Sequence, residues 1–241
     1  MKKLLISAIA ATFLFTTSDA HAVLKVVKPY VTKGKIGAKY YGQVSIGEGS
    51  DAGAREGLYS FGYGVTDYWE AELEFVTKDP NGGTNDITAY EFVNKFQLTE
   101  KGEYYIDLGV YTAYEVHTDR NKADKAEVYF LFSKLYNKWS HIANLQFKQE
   151  VFEDSKKGLE LTLGWQTMYK LNDDWKAGFE YFGVLGQLED VTGYNDQEHL
   201  FGPVASYAIP GTGLELKAGL LGGISRKAPN ALAKWVIGYK F

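Results

Sequence analysis

The sequence predicts an all-β protein, a closed antiparallel transmembrane β-barrel of about 12 strands with short periplasmic turns and longer extracellular loops. Three observations predict it. Apolar and polar residues alternate in segments of roughly ten, the connections between segments alternate short and long, and aromatic residues collect at the short-turn ends. Composition agrees: the 241 residues include 26 Gly and 5 Pro, with 15% aromatic and 45% hydrophobic residues. A net charge of −4 carries neither the basic footprint of a nucleic-acid binder nor a polyacidic tail. The absence of cysteine excludes disulfide frameworks, thiolate metal sites and thiol catalysis. After residue 22 no stretch holds the ~20 apolar residues of a membrane-spanning helix.

The chain opens with an address. Met1-Lys2-Lys3 is followed by an apolar run from Leu4 to Thr16, and Ser18-Asp19-Ala20-His21-Ala22 ends in a small-x-small pattern. This is the form of a secretory signal peptide, so residues 1–22 are expected to be removed by cleavage after Ala22. Residues 23–34 form a periplasmic N-terminal segment, with the barrel lumen as the alternative place for them. Residues 35–241 form the barrel.

Trp69-Glu70-Ala71-Glu72-Leu73-Glu74-Phe75 shows the pattern plainly. A period of two puts Trp69, Ala71, Leu73 and Phe75 on one face and three glutamates on the other, whereas a helix would scatter them. Residues 104–110, 159–165 and 214–220 repeat the scheme. Strands are expected to begin near Lys35, Gly57, Trp69, Asp86, Tyr104, Ala126, Trp139, Gly158, Trp175, Leu200, Leu214 and Ala231. Short turns fall at 66–68, 137–138, 172–174 and 210–213, with 99–103 slightly longer. Polar loops occupy 47–56, 79–85, 117–125, 152–157, 187–198 and 226–230. Sorting of loop length by side is a property of outer-membrane barrels and has no cause in a soluble sandwich. Trp69, Phe96, Tyr104, Tyr136, Trp139, Tyr169, Trp175, Tyr207, Tyr239 and Phe241 all stand near the short turns, where amphipathic rings suit the lipid headgroup layer.

The last strand ends Trp235-Val236-Ile237-Gly238-Tyr239-Lys240-Phe241. Its terminal Phe241, with Tyr239, Ile237 and Trp235 at alternate positions, resembles the signature that the barrel-assembly machinery of the outer membrane reads. Residues 64–74 (GVTDYWEAELE) and 201–207 (FGPVASY) resemble the phenol-degradation MetA-like barrels, a loosely defined group of outer-membrane transporters. Those motifs are mainly turn and girdle chemistry, so the resemblance implies an architecture more than a phenol substrate.

If the apolar face meets lipid, the residues between must line the lumen, because Lys or Arg at the lipid midplane costs about 2–4 kcal/mol. The expected pore-lining set is Glu70, Glu72, Glu74, Glu91, Lys95, Asp107, Glu115, Lys170, Glu180, Glu215 and Lys217. Glu127, Lys39, Lys148, Lys176, Lys234, Asn144, Gln146 and Gln166 share that face. Either this mixed-charge lining surrounds a narrow pore, or carboxylates and lysines meet and close it. The Glu70–Glu72–Glu74 ladder favours cations unless neighbouring lysines neutralise it.

Catalysis has little purchase here. Outer-membrane phospholipase A barrels carry His and Ser two residues apart, whereas the residues two after His117, His141 and His199 are Asp119, Ala143 and Phe201. Dispersed histidines give no zinc signature, and no loop has EF-hand spacing. The expectation is therefore a non-enzymatic porin-like channel in a bacterial outer membrane that passes small solutes by diffusion, without cofactor or metal. Its partners are membrane lipid, lipopolysaccharide, the assembly machinery and an unidentified solute, with no nucleic acid. A closed structural or surface-interaction barrel is the alternative, and an outer-membrane hydrolase the third reading.

Overall fold

The computed structural model describes residues 23–47, 53–79, 86–151 and 158–241. The expected signal peptide, residues 1–22, lies outside the described residues. Twelve strands follow one another: β1 (Ile36–Ile46), β2 (Arg55–Gly64), β3 (Trp69–Asp79), β4 (Asp86–Gln97), β5 (Asp107–His117), β6 (Asp124–Tyr136), β7 (Trp139–Val151), β8 (Glu160–Lys170), β9 (Trp175–Gln187), β10 (Glu198–Ala208), β11 (Leu214–Gly223) and β12 (Ala231–Lys240). Each pairs antiparallel with its sequence neighbours, and β1 pairs with β12 to close the sheet. Closure gives each wall strand a partner on both sides, the condition for strands in lipid.

The expected strands are all present, with boundary corrections. The strand placed at Tyr104 begins at Asp107, and Tyr104, Tyr105 and Ile106 are exposed residues of the preceding turn. Asp107 accepts hydrogen bonds from Gly102 N (2.8 Å) and Tyr30 Oη (2.6 Å), which fix where the turn ends. This connection, 98–106, is longer than the loop 118–123 on the opposite side, so the sorting of loop lengths has one exception. The strands placed at Gly57, Ala126 and Leu200 begin two residues earlier, and that placed at Gly158 begins at Glu160.

The two faces separate as period two requires. Phe61, Leu73, Phe92, Phe130, Trp165, Phe179, Phe201 and Ile237 are exposed on the outer face, while Glu72, Glu74, Glu91, Glu127 and Glu180 are buried inside. Apolar exposure on this scale around a whole barrel is stable only against an apolar medium. At the short-turn rim the girdle residues meet in cross-strand pairs: Trp69 with Phe96, Trp139 with Tyr169, and Trp175 with Tyr207, the last two with ring centroids 4.8 and 4.6 Å apart. Lys134, on the outward face, places its ammonium 4.1 Å from the centroid of the Tyr105 ring, where a long side chain can reach the polar interface.

Phe92 lies mid-strand on the outer face. Phe92→Arg is expected to destabilise the barrel folded in lipid vesicles by about 2–4 kcal/mol. Urea unfolding checks this; a change within about 0.5 kcal/mol, as for a water-exposed site, contradicts the lipid-facing assignment.

Candidate functional site: a lumen crossed by the N-terminal segment

Residues 23–31 run inside the barrel, the alternative place named for the N-terminal segment, while Thr32, Lys33 and Gly34 are exposed beside the short-turn end. They add no strand to the sheet. Wall side chains instead stand in for a strand partner and satisfy the backbone of the segment. Leu24 N donates to Gln43 Oε1 on β1 (3.0 Å), and Lys234 Nζ on β12 donates to Leu24 O (2.9 Å). On β7, Asn144 accepts from Val27 N (2.7 Å) and donates to Val27 O (2.9 Å), while Gln146 donates to Lys25 O (3.2 Å). Near the short-turn end, Val31 N donates to Gln97 Oε1 and Gly34 N to Gly64 O, both at 2.8 Å. Since β1 and β7 stand on opposite sides of the ring, the segment bridges the diameter of the lumen.

Packing reinforces these bonds. Among the described residues the interior holds three apolar clusters, and each has a residue of the segment in it or packed against it. Leu24 joins Phe182, Leu200, Leu221 and Leu232; Val27 lies against Tyr111, Tyr129 and Leu131; Val23 joins Leu58, Val76 and Ala89. Two glycines make room for the chain. A Cβ on Gly109 would stand 2.7 Å from Pro29 Cβ, and one on Gly64 would stand 2.0 Å from Thr32 O.

The lumen charges meet in pairs. Lys25 of the segment contacts Glu74 (2.5 Å), the Tyr111 hydroxyl (2.8 Å) and, at 4.0 Å, Glu91. Lys95 pairs with Glu70 (2.6 Å) and Glu72 (3.4 Å), and Lys39 approaches Glu72 at 3.9 Å. Lys148 joins Glu115 (3.7 Å) to Glu127, and His117 Nε2 lies 2.8 Å from Glu115. Glu180 receives Lys217 (2.8 Å), Lys234 (2.7 Å) and the Gln166 amide. Burial makes such pairing obligatory, since an unpaired charge there carries its full desolvation cost.

The predicted lining residues therefore separate into two groups. Glu70, Glu72, Glu74, Glu91, Lys95, Glu115, Glu180 and Lys217 are drawn into ion pairs, and Asp107 into the turn that also anchors Tyr30. Glu215 remains part-exposed. Lys170 stands at the rim, half-exposed, 2.7 Å from Asp173. The Lys170 hydrogen bond holds the Asp173 carboxyl below its ordinary range. The cation-selective ladder is not available as free charge, because Lys25, Lys39 and Lys95 neutralise it.

Glu91, Glu115 and Glu127 offer oxygens within 4.8 Å of one another, a geometry open to a cation. The Lys148 ammonium joins two of them, and the Tyr129 hydroxyl donates to Glu127 at 2.5 Å. The ring nitrogens of His199 meet Tyr181 Oη (2.8 Å) and Gln197 Oε1 (3.0 Å), while the neighbouring Ser225 hydroxyl accepts from His199 N (2.9 Å) and donates to Gln197 O (2.7 Å). Lys25 was absent from the sequence-derived set because its role depends on where the segment lies. Its place amid Val23, Leu24, Val26 and Val27 was the available signal, one charge in an apolar stretch without turn residues.

No protein-family model matches the sequence, and no curated protein matches it. Solved structures do resemble the fold. An outer membrane channel from Pseudomonas putida F1 aligns with TM-score 0.61 at 14% identity, over 88% of this chain and 97% of that one. The NanC porin aligns with TM-score 0.58 at 13% identity, and the KdgM porin with 0.54 at 11%, each covering 85% of this chain and 98% of its own. The class is thus a closed 12-stranded antiparallel barrel of the architecture found in outer-membrane channels. The MetA-like resemblance has no support at the level of sequence.

Lys25→Met leaves Glu74 without its ammonium and is expected to cost about 3–5 kcal/mol in urea unfolding. Adding Glu74→Gln should recover part of that loss. No recovery in the double variant would mean that Lys25 acts through packing alone.

Proposed function

We propose that the protein is a porin-like channel of a bacterial outer membrane, passing small solutes by diffusion when residues 23–31 leave the lumen. The observation that carries this reading is the way the segment is held. Amide and ammonium side chains bond its backbone, so it can depart without exposing a strand edge or opening the β1–β12 seam. A purely structural barrel has no need of a separable filling. The architecture shared with the P. putida channel and the NanC and KdgM porins supports the reading. So does an inward face able to hydrate once exposed. On this reading residues 1–22 direct export and are cleaved after Ala22. Trp235, Ile237, Tyr239 and Phe241 present the last strand to the assembly machinery, and the outer face meets lipid and lipopolysaccharide. No catalytic step or cofactor enters, and no solute is taken from the MetA-like resemblance.

A closed structural barrel is the second reading, favoured by dense packing at mid-height, where Tyr111 and Tyr129 stack 4.6 Å apart between centroids and Phe182 is fully buried. Planar-bilayer recording separates the two. Deleting residues 23–31 should raise single-channel conductance several-fold above that of the full chain. Asn144→Ala, which removes two hydrogen bonds to Val27, should raise the open probability about tenfold, given 0.5–1.5 kcal/mol per bond. Silence from both the full chain and the deletion would establish the closed barrel.

A further inference from the structure

Pairing of the lumen charges leaves Lys28 and Lys176 without an ion-pair partner among the described residues, and two paired lysines, Lys170 and Lys217, stand beside Lys176 in the sheet. Lys176 on β9, Ser206 on β10 and Lys217 on β11 are successive partners across three strands, on the inward face near the short-turn end. Lys170 on β8 is the register partner of Lys176 and extends the row to the rim. Facing the row is Lys28 of the N-terminal segment, within electrostatic reach of Glu215, Lys176, Lys217 and Lys240. We propose that this corner of the lumen binds a small oxyanion carrying two or more negative charges, held by Lys28, Lys176 and Lys217 with the Ser206 hydroxyl between the last two.

Solvation distinguishes Lys28 and Lys176 from the carboxylates at mid-height. Lys28 is exposed and Lys176 part-exposed, so water reaches them inside the barrel, whereas Glu74, Glu91 and Glu180 are buried. Among the described residues, neither Lys28 nor Lys176 has a carboxylate within ion-pair distance, although every lysine at mid-height does. Lys217 spends one donor on Glu180, and an ammonium has three. Glu180 keeps Lys234 and Gln166 if Lys217 turns part of its donors to a ligand.

Like charges gathered in a concave, protein-walled corner raise the local anion concentration and repel one another until an anion arrives. A singly charged ligand would leave most of that repulsion in place, whereas two or three negative charges can meet ammonium groups on both the wall and the segment. Because Lys28 belongs to the segment, an anion here also bridges the segment to the wall.

This inference deepens the channel reading by naming a solute class, and rests on that reading only for passage of the anion. Citrate serves as the probe, titrated by calorimetry into the full chain in detergent micelles at low ionic strength. Lys28→Gln with Lys176→Gln should weaken binding at least tenfold, and Lys176→Ala alone should weaken it measurably. Both side chains are solvated, so their loss strands no buried group; circular dichroism checks that the variants remain folded. Lys33→Gln, an exposed lysine on the same segment, should leave binding unchanged. No binding by the unsubstituted protein, an unaffected double variant, or an equal loss in Lys33→Gln would overturn the site. Binding that persists in a barrel silent under voltage even after deletion of residues 23–31 would overturn the channel reading and leave the site standing.

Discussion

A sheet placed in lipid cannot leave a strand edge unpaired, and the rest of this structure depends on how that constraint is met. Each exposed N–H or C=O in the hydrocarbon layer costs several kcal/mol. Pairing of β1 with β12, from Gly37 with Lys240 to Ile46 with Ala231, removes the last edge. Once the sheet closes, period two leaves each side chain one of two places. Phe92 and Leu73 go to lipid; Glu72 and Glu74 go to the axis, where they must be hydrated or paired.

Pairing follows from the size of the ring. Eight strands leave an interior that wall side chains fill, and sixteen leave a water channel. Twelve fall between, and here the wall is supplemented by a stretch of its own chain. The contribution is electrostatic as well as steric: β3 and β4 bring Glu74 and Glu91 together, and Lys25 lies against both. Filling the lumen and balancing its charge are therefore one event. If the segment withdraws, water replaces Lys25 around the same carboxylates, so the two states differ in what solvates the wall and share one sheet.

Much of this was legible in the sequence, for a physical reason. Facing lipid imposes a strict alternation, and Trp69 through Phe75 displays it without interruption. The girdle pairs were readable because the headgroup layer selects Trp and Tyr at one depth. Strand starts such as Asp107 were less so, since Tyr104 and Tyr105 continue the alternation while a side-chain bond to Gly102 ends the turn. The inward direction of Glu70, Glu72 and Glu74 was legible, but their partners were not. Lys95 lies on the adjacent strand and could be guessed, whereas Lys25 reaches Glu74 only because the segment enters the barrel. Period two specifies a face; it says nothing of what fills the space beyond.

The arrangement also divides the charges by the work they can do. Carboxylates at mid-height are enclosed and matched, so they act on the stability of the closed form and present little field to a solute at the mouth. Toward the short-turn end, Lys28 and Lys176 are reached by water and have no carboxylate within ion-pair distance among the described residues, so their charge is open to a solute. Net charge conceals this, because the chain is acidic at −4 while its solvated inner corner is basic. The charges that water can reach are the ones free to meet a solute, and here they include the ammonium groups of Lys28 on the segment and Lys176 on the wall, beside the part-exposed Glu215.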